Sequence, residues 1–150
     1  MSVFQQGGIA LLTFVLMEVW AWWVHKYLLH GPLWFLHRTH HEPQKGWWEW
    51  NDLVSLLYGA LSTGLVIYGA QGQSWHLGVG IGIALYGLFY FFFHDIIIHR
   101  RIKIRYKFTH PYVLRLIRAH KMHHKHMQRD NSEAFGFLYA TRRYNIKRVD

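Results

Sequence analysis

The sequence predicts an all-α integral membrane helical bundle with three to four transmembrane helices. Three observations lead there: three apolar blocks of spanning length, basic residues confined to the segments between and after certain blocks, and histidines gathered beyond two of them. The first block runs from about Phe4 to Val24, and Glu18 is its single ionisable residue. The second runs from about Leu53 to Ala70 and the third from about Leu77 to Phe93. A helix needs about 20 residues to cross the hydrocarbon core, so all three qualify. Helices this apolar would leave a soluble bundle with nothing polar to cover it. The first block lacks the basic flank of a cleaved signal peptide, and histidines follow it at once.

Each element carries a local signal. Asn51-Asp52 stands before the second block as an N-cap pair. Trp47, Trp48 and Trp50 precede it, where an interfacial aromatic belt is expected. Gly59, Gly64, Gly69, Gly78, Gly80, Gly82 and Gly87 suit close helix packing in lipid, or leave room for a long rigid ligand. The segment from Val113 to His120, with Leu114, Ile117 and, just beyond it, Met122 as apolar residues and arginine between them, reads as an amphipathic helix at the membrane surface; a fourth inserted helix stays open there. The 150 residues read as one domain, 1–150.

Charge sets the orientation. Residues 1–24 contain no Lys or Arg, nor does the link from Gln71 to His76. Lys26, Arg38 and Lys45 lie between the first two blocks, and the other fourteen lie beyond His94. The positive-inside rule places both basic segments in the cytoplasm, so three crossings put the N-terminus outside and the C-terminus inside. The formal charge of +9 then reads as attraction to anionic lipid rather than to nucleic acid. The absence of cysteine excludes disulfides, thiolate metal sites and cysteine-held clusters.

Ten of the thirteen histidines form two matched sets. His25 and His30 are followed by His37, His40 and His41; His94 and His99 are followed by His120, His123 and His124. Each set is a pair at i, i+5 and a triplet at i, i+3, i+4. The triplet spacing puts three imidazoles on one helix face. The pair lies about 140° apart on a straight α-helix, so it marks a helix end or serves two metals. Both sets follow a block at its cytoplasmic end and can meet at one depth. Ten imidazoles exceed one coordination sphere and suit two metals with about five each. Such ligation fits iron, zinc or copper; two irons with open positions can activate oxygen. His76 lies on the opposite side, and His110 and His126 stand outside both patterns.

Glu18 lies two turns before His25 on about the same face, and a carboxylate in a span pairs or functions. It is expected to accept a ligand N–H and orient the ring. Asp95 is expected to do the same for His94, or to balance Arg100. Trp22, Trp23, Tyr90 and Phe93 are the candidate aromatic lining of a substrate channel.

These sets resemble the histidine boxes of the fatty-acid hydroxylase and sterol desaturase superfamily, and more narrowly those of bacterial carotenoid-ring hydroxylases. The resemblance runs through Glu18–Gly31, His40-His41-Glu42-Pro43, Gly46, Glu49, Asn51-Asp52-Leu53, His94–Arg101, Ala119–His124 and Phe135–Ala140. Lys107 to Leu116 and the tail after Ala140 depart from the pattern. The resemblance implies that the ten histidines ligate two non-haem irons. It implies hydroxylation of C3 on the β-ionone rings of a C40 carotenoid, from β-carotene through β-cryptoxanthin to zeaxanthin, with O2. No flavin motif is present, so electrons come from outside, from a ferredoxin with its reductase or another NAD(P)H-linked donor. The implied location is the bacterial inner membrane. A fatty-acyl or sterol hydroxylase or desaturase of the same superfamily is the nearest alternative. A membrane metal- or haem-binding transport protein is the alternative from another class.

Overall fold

A computed structural model describes residues 1–43, 46–72 and 74–145. Lys45 and the basic Lys147 and Arg148 of the tail lie outside the described residues. Helix α1 spans Val3–Trp23 and continues as a π-helical segment, Val24–Leu29. Then come α2 (Trp34–His41), α3 (Asp52–Gly72) and α4 (Trp75–Tyr90), the last continuing as a second π-helical segment, Phe91–Ile98. Helix α5 covers Pro111–His124, and a 3-10 turn, Arg142–Tyr144, is the last element among the described residues.

Three helices are long and apolar enough to cross a membrane: Val3–Leu29, Asp52–Gly72 and Trp75–Ile98. Only 11% of the most apolar stretch of α3 is buried within the chain. Leu56, Leu57, Leu61 and Ile67 stand exposed along it, which water would not stabilise and lipid does. Helix α5 has 14 residues and an amphipathic pattern, too short to span. Three is therefore the count of spanning helices among the described residues.

Helix α4 is the shared partner of α1 and α3. Gly78 and Gly82, four residues apart, face α1: a Cβ on Gly78 would lie 2.9 Å from Gln6 O and one on Gly82 2.6 Å from Ala10 O. Gly80 points the other way, where a Cβ would meet Val66 N at 2.8 Å. Small residues on two faces of one helix let both neighbours approach its backbone. Ser62 Oγ donates to Gly80 O across the α3–α4 contact, at 2.8 Å. At the far end the Gln6 amide donates to Ser74 O and accepts from Gly78 N, tying α1 to the start of α4. Helices α1 and α3 thus splay on either side of α4.

Ser2 caps α1 in a capping box with Gln5. His110 is the N-cap residue of α5 and Pro111 opens it. The Asn51-Asp52 pair at the start of α3 is used differently from a simple cap. Asp52 accepts from Glu49 N, while Asn51 Oδ1 turns to a histidine. Beneath α5, Leu116, Ala119, Ala140 and Tyr144 form a small apolar core with Phe93 and Met122.

Candidate metal centre and membrane cavity

The two π-helical segments explain the i, i+5 pairs. His30 N–H donates to His25 O at 3.0 Å, and His99 N–H donates to His94 O at 2.9 Å. This i→i−5 bond stacks the second residue over the first, which α-helix geometry would not do. Each pair therefore faces inward together. Helix α2 presents His37, His40 and His41, and α5 presents His120, His123 and His124.

The ten side chains meet, but the sets interleave. His25, His30, His37 and His41 are joined by His123 of the second set, with their ligand atoms within 4.8 Å of one another. His94, His99 and His120 are joined by His40 of the first set. His124 stands between the clusters, its ring 4.5 Å from those of His41 and His120 and 4.7 Å from that of His40. Its Nε2 is buried and has no hydrogen-bond partner among the described residues. His25, His37, His94 and His123 are among the most deeply buried side chains in the chain.

The protonation pattern fits a metal. Nδ1–H of His25 donates to Phe135 O, that of His30 to Arg129 O, that of His41 to His126 O and that of His123 to Glu133 O. His37 donates to Asn51 Oδ1, His40 to Glu49 Oε2 and His94 to Asp95 Oδ1. These acceptors fix the proton on Nδ1 and leave a lone pair on Nε2. Yet Nε2 of His25 lies 2.9 Å from Nε2 of His37, and Nε2 of His40 lies 3.0 Å from Nε2 of His94. Two lone pairs that close repel unless a cation lies between them. Metal–nitrogen bonds of about 2.1 Å at right angles give an edge of roughly 3 Å, which matches.

Burial also keeps the rings neutral. Desolvation, reinforced by neighbouring imidazoles, holds His37, His40 and His120 well below the ordinary range. Desolvation brings His41 and His99 to about 4. The same effect, added to by facing histidines, brings His123 and His124 to about 2. A neutral imidazole is the form a metal needs.

Asp95 Oδ1 lies 2.9 Å from His94 Nδ1, and its cationic neighbour is Arg101 rather than Arg100. Arg100 adopts φ 56, a left-handed turn after the π-helical segment that brings the following residue inward. Arg101 Nη2 then lies 3.0 Å from Glu49 Oε2 and 2.9 Å from Asp52 Oδ1. Glu18 differs from expectation: among the described residues it receives no bond from a histidine. Its carboxylate accepts from the backbone N–H of Phe137, Leu138 and Tyr139, and from Tyr86 OH. Gly136 makes room, since a Cβ there would lie 3.0 Å from Glu18 Oε1. Glu18 thus acts on His25 at one remove. The segment it anchors supplies Phe135 O to His25 and stacks the Phe137 ring on the His25 ring at 4.9 Å.

Glu49, Asn51, Arg101 and the carbonyls of 126–135 were not picked out as histidine partners from sequence. Glu49 and Asn51 carried a signal, as polar residues buried beside an aromatic run. The carbonyls carried none. His76 lies against Trp75 and Tyr68 at the far end of α4, and His110 is exposed. His126 contributes its carbonyl to His41.

A cavity of about 450 Å³ leads away from the histidines between α1 and α3, with α4 as its floor. His37, Asn51, Asp95, Tyr90 and Phe137 line one end; Ser62, Thr63, Ile83 and Ala84 line the other. Along α3 the lining runs from Val54 to Thr63, about 14 Å of helix. Trp20 Nε1 donates to Tyr58 OH at 2.6 Å across the gap between α1 and α3. Of the expected aromatic lining only Tyr90 is found here. Trp22 faces a second cavity with Glu18 and Tyr139, Trp23 stacks on Trp20, and Phe93 packs on the small core. Gly59 and Gly87 line the main cavity with nothing within 4 Å of an added Cβ, unlike the packing glycines of α4.

A helical membrane-type fold with paired histidine clusters beside an apolar cavity defines a membrane hydroxylase class. The fatty acid hydroxylase family model matches residues 10–141, and the chain belongs to that family. It is 44% identical over 133 residues to a beta-carotene hydroxylase of Pantoea ananas, covering 88% of this chain and 75% of that protein. It is 38% identical over 133 residues to a beta-carotene hydroxylase of a Paracoccus species, covering 88% and 82%. A chloroplastic beta-carotene 3-hydroxylase of Arabidopsis thaliana is 35% identical over 112 residues, 72% of this chain and 37% of that protein. No solved structure matches the chain.

Proposed function

We propose that this protein is a non-haem di-iron monooxygenase that hydroxylates C3 of carotenoid β-ionone rings, converting β-carotene through β-cryptoxanthin to zeaxanthin. The observation that carries the reading is the pair of interleaved imidazole clusters beside an apolar cavity within the spanning helices, with His37 in its lining. The names of its bacterial and plant relatives support the substrate class. One position takes His25, His30, His37, His41 and His123. The other takes His40, His94, His99 and His120, with His124 as its fifth ligand. When bound, two irons supply the reductive activation of O2 that inserts oxygen into an unactivated C–H bond.

The chain's own residues do the rest. The cavity takes the hydrocarbon from the bilayer and aligns its long axis with α3. Phe137 and Tyr90 sit against histidine rings at the cavity's inner end, so they press the ring of the substrate toward the metals and keep water out. Carbonyl and carboxylate oxygens behind His25, His30, His37, His40, His41, His94 and His123 hold their Nδ1 protons and keep Nε2 free.

Helix α5 turns its histidines inward and Arg118, Lys121 and Lys125 outward. That basic face suits an acidic ferredoxin, charged by its reductase, as electron donor. The positive-inside rule supports a cytoplasmic position for this face, and the bacterial relatives support the inner membrane as the location of the helices.

Expression in a bacterium that accumulates β-carotene tests the reading by pigment chromatography. Zeaxanthin and β-cryptoxanthin are expected, and His40→Ala or His123→Ala abolishes both. Unchanged β-carotene despite two bound irons refutes the substrate; altered acyl chains or sterols in those cells would indicate the other substrates of the family.

A further inference from the structure

The two histidine clusters differ in what stands behind their rings. Behind the first, every acceptor is neutral: four backbone carbonyls and Asn51 Oδ1. Behind the second, two acceptors are carboxylates, Glu49 at 2.8 Å from His40 and Asp95 at 2.9 Å from His94. Asp52 adds a third carboxylate, and Arg101 is the cation that ties the three together, at 3.0, 2.9 and 3.6 Å. The surplus charge of this group is negative, and it lies on one side of the centre only. Glu49 and Asp95 are both buried. An imidazole whose Nδ1–H is held by a carboxylate is a more basic ligand than one held by a carbonyl. Fixed negative charge in a poorly solvated surrounding also attracts a cation more strongly than it would in water.

We propose that the two metal positions are inequivalent, the one built on His40, His94, His99 and His120 binding its cation more tightly because Glu49 and Asp95, clamped by Arg101, stand behind it. Glu49, Asp95 and Arg101 are positioning residues, acting through the histidines. The inference rests on the two-metal reading above and goes beyond it.

The test uses the full-length holoprotein in detergent. A chelator is titrated to equilibrium while metal per chain is followed by elemental analysis. Two separate release steps of one ion each are expected. Glu49→Gln weakens the tighter step alone, by about 10- to 100-fold, so that the steps merge. Asn51→Asp puts a carboxylate behind His37 and tightens the weaker step, a gain that no folding defect can imitate. Simultaneous release of both ions from the unmodified protein overturns the inference, as does equal weakening of both steps in Glu49→Gln. Two ions released together leave the two-metal reading standing. Fewer than two ions per chain in protein that still forms product overturns both.

Discussion

Replacing Glu18 by alanine is expected to undock the segment from Phe135 to Ala140 and, through it, to release His25. Three backbone N–H groups, of Phe137, Leu138 and Tyr139, converge on the carboxylate at 2.9–3.1 Å, and Tyr86 OH joins them at 2.8 Å. A hydrogen bond to a charged acceptor contributes about 1.5–3 kcal/mol, so the three amides together represent about 4–5 kcal/mol even at the lower figure. At about 1.4 kcal/mol per tenfold, the docked population of the segment falls by roughly a thousandfold relative to the undocked one. His25 then loses the Phe135 carbonyl that fixes its tautomer and the Phe137 ring stacked on it. Glu18→Gln keeps one acceptor oxygen but turns an N–H toward donors, so an intermediate loss is expected. Limited trypsin digestion of the detergent-solubilised protein reads the segment directly, at Arg129 and Arg142, and elemental analysis reads the metal. Glu18→Ala should be cut much faster than the parent and retain less metal. Cleavage rate and metal content both equal to the parent's would show that the carboxylate does not hold the segment, and that its place in the membrane span needs another cause.

Gly59 lines the cavity and an added Cβ there meets nothing within 4 Å, so Gly59→Leu is expected to project into the cavity. Metal content should be unchanged and hydroxylation should drop by about tenfold or more, read by elemental analysis and pigment chromatography on the same preparation. Gly80→Val drives a side chain into Val66, whose backbone N would lie 2.8 Å from the new Cβ, and should cost about 1–3 kcal/mol, seen as a lower melting temperature. Gly87→Ala, in open space on the same helix, should leave the melting temperature equal or slightly higher, since alanine suits a helix interior better than glycine. Acid should destabilise the metal-free chain between about pH 6.5 and 4. His41 and His99 titrate at about 4 when folded, so in that window the unfolded chain binds more protons and stability falls as pH falls. Melting of chelator-treated protein across that range checks the sign; a melting temperature that rises on acidification contradicts it.

The parts of the site that were legible in the sequence are those in which spacing alone fixes direction. The triplets at i, i+3, i+4 share a face on any α-helix, so His37, His40, His41 and His120, His123, His124 converge whatever surrounds them. The pairs at i, i+5 were ambiguous because their direction depends on whether the helix keeps its α geometry. The π-helical bonds from His30 to His25 and from His99 to His94 resolve it, and no residue type in either segment marks that choice. The exchange of His40 and His123 between the clusters is a property of how α2 and α5 cross, which depends on contacts between residues about eighty apart. Glu18 was legible as a functional carboxylate because burial in a span makes it costly. Its partner was not, because backbone N–H groups have no letter in a sequence. The same reason hid the carbonyls behind four of the five histidines in the first cluster. The second cluster takes carboxylates in that role, from Asp95, visible beside His94 at the end of an apolar stretch, and from Glu49, whose acidic side chain stands in the sequence without its partner being marked. What a sequence reveals of a metal site therefore depends on its chemistry: partners with charged side chains can be found by their cost, while partners in the main chain appear only with the fold.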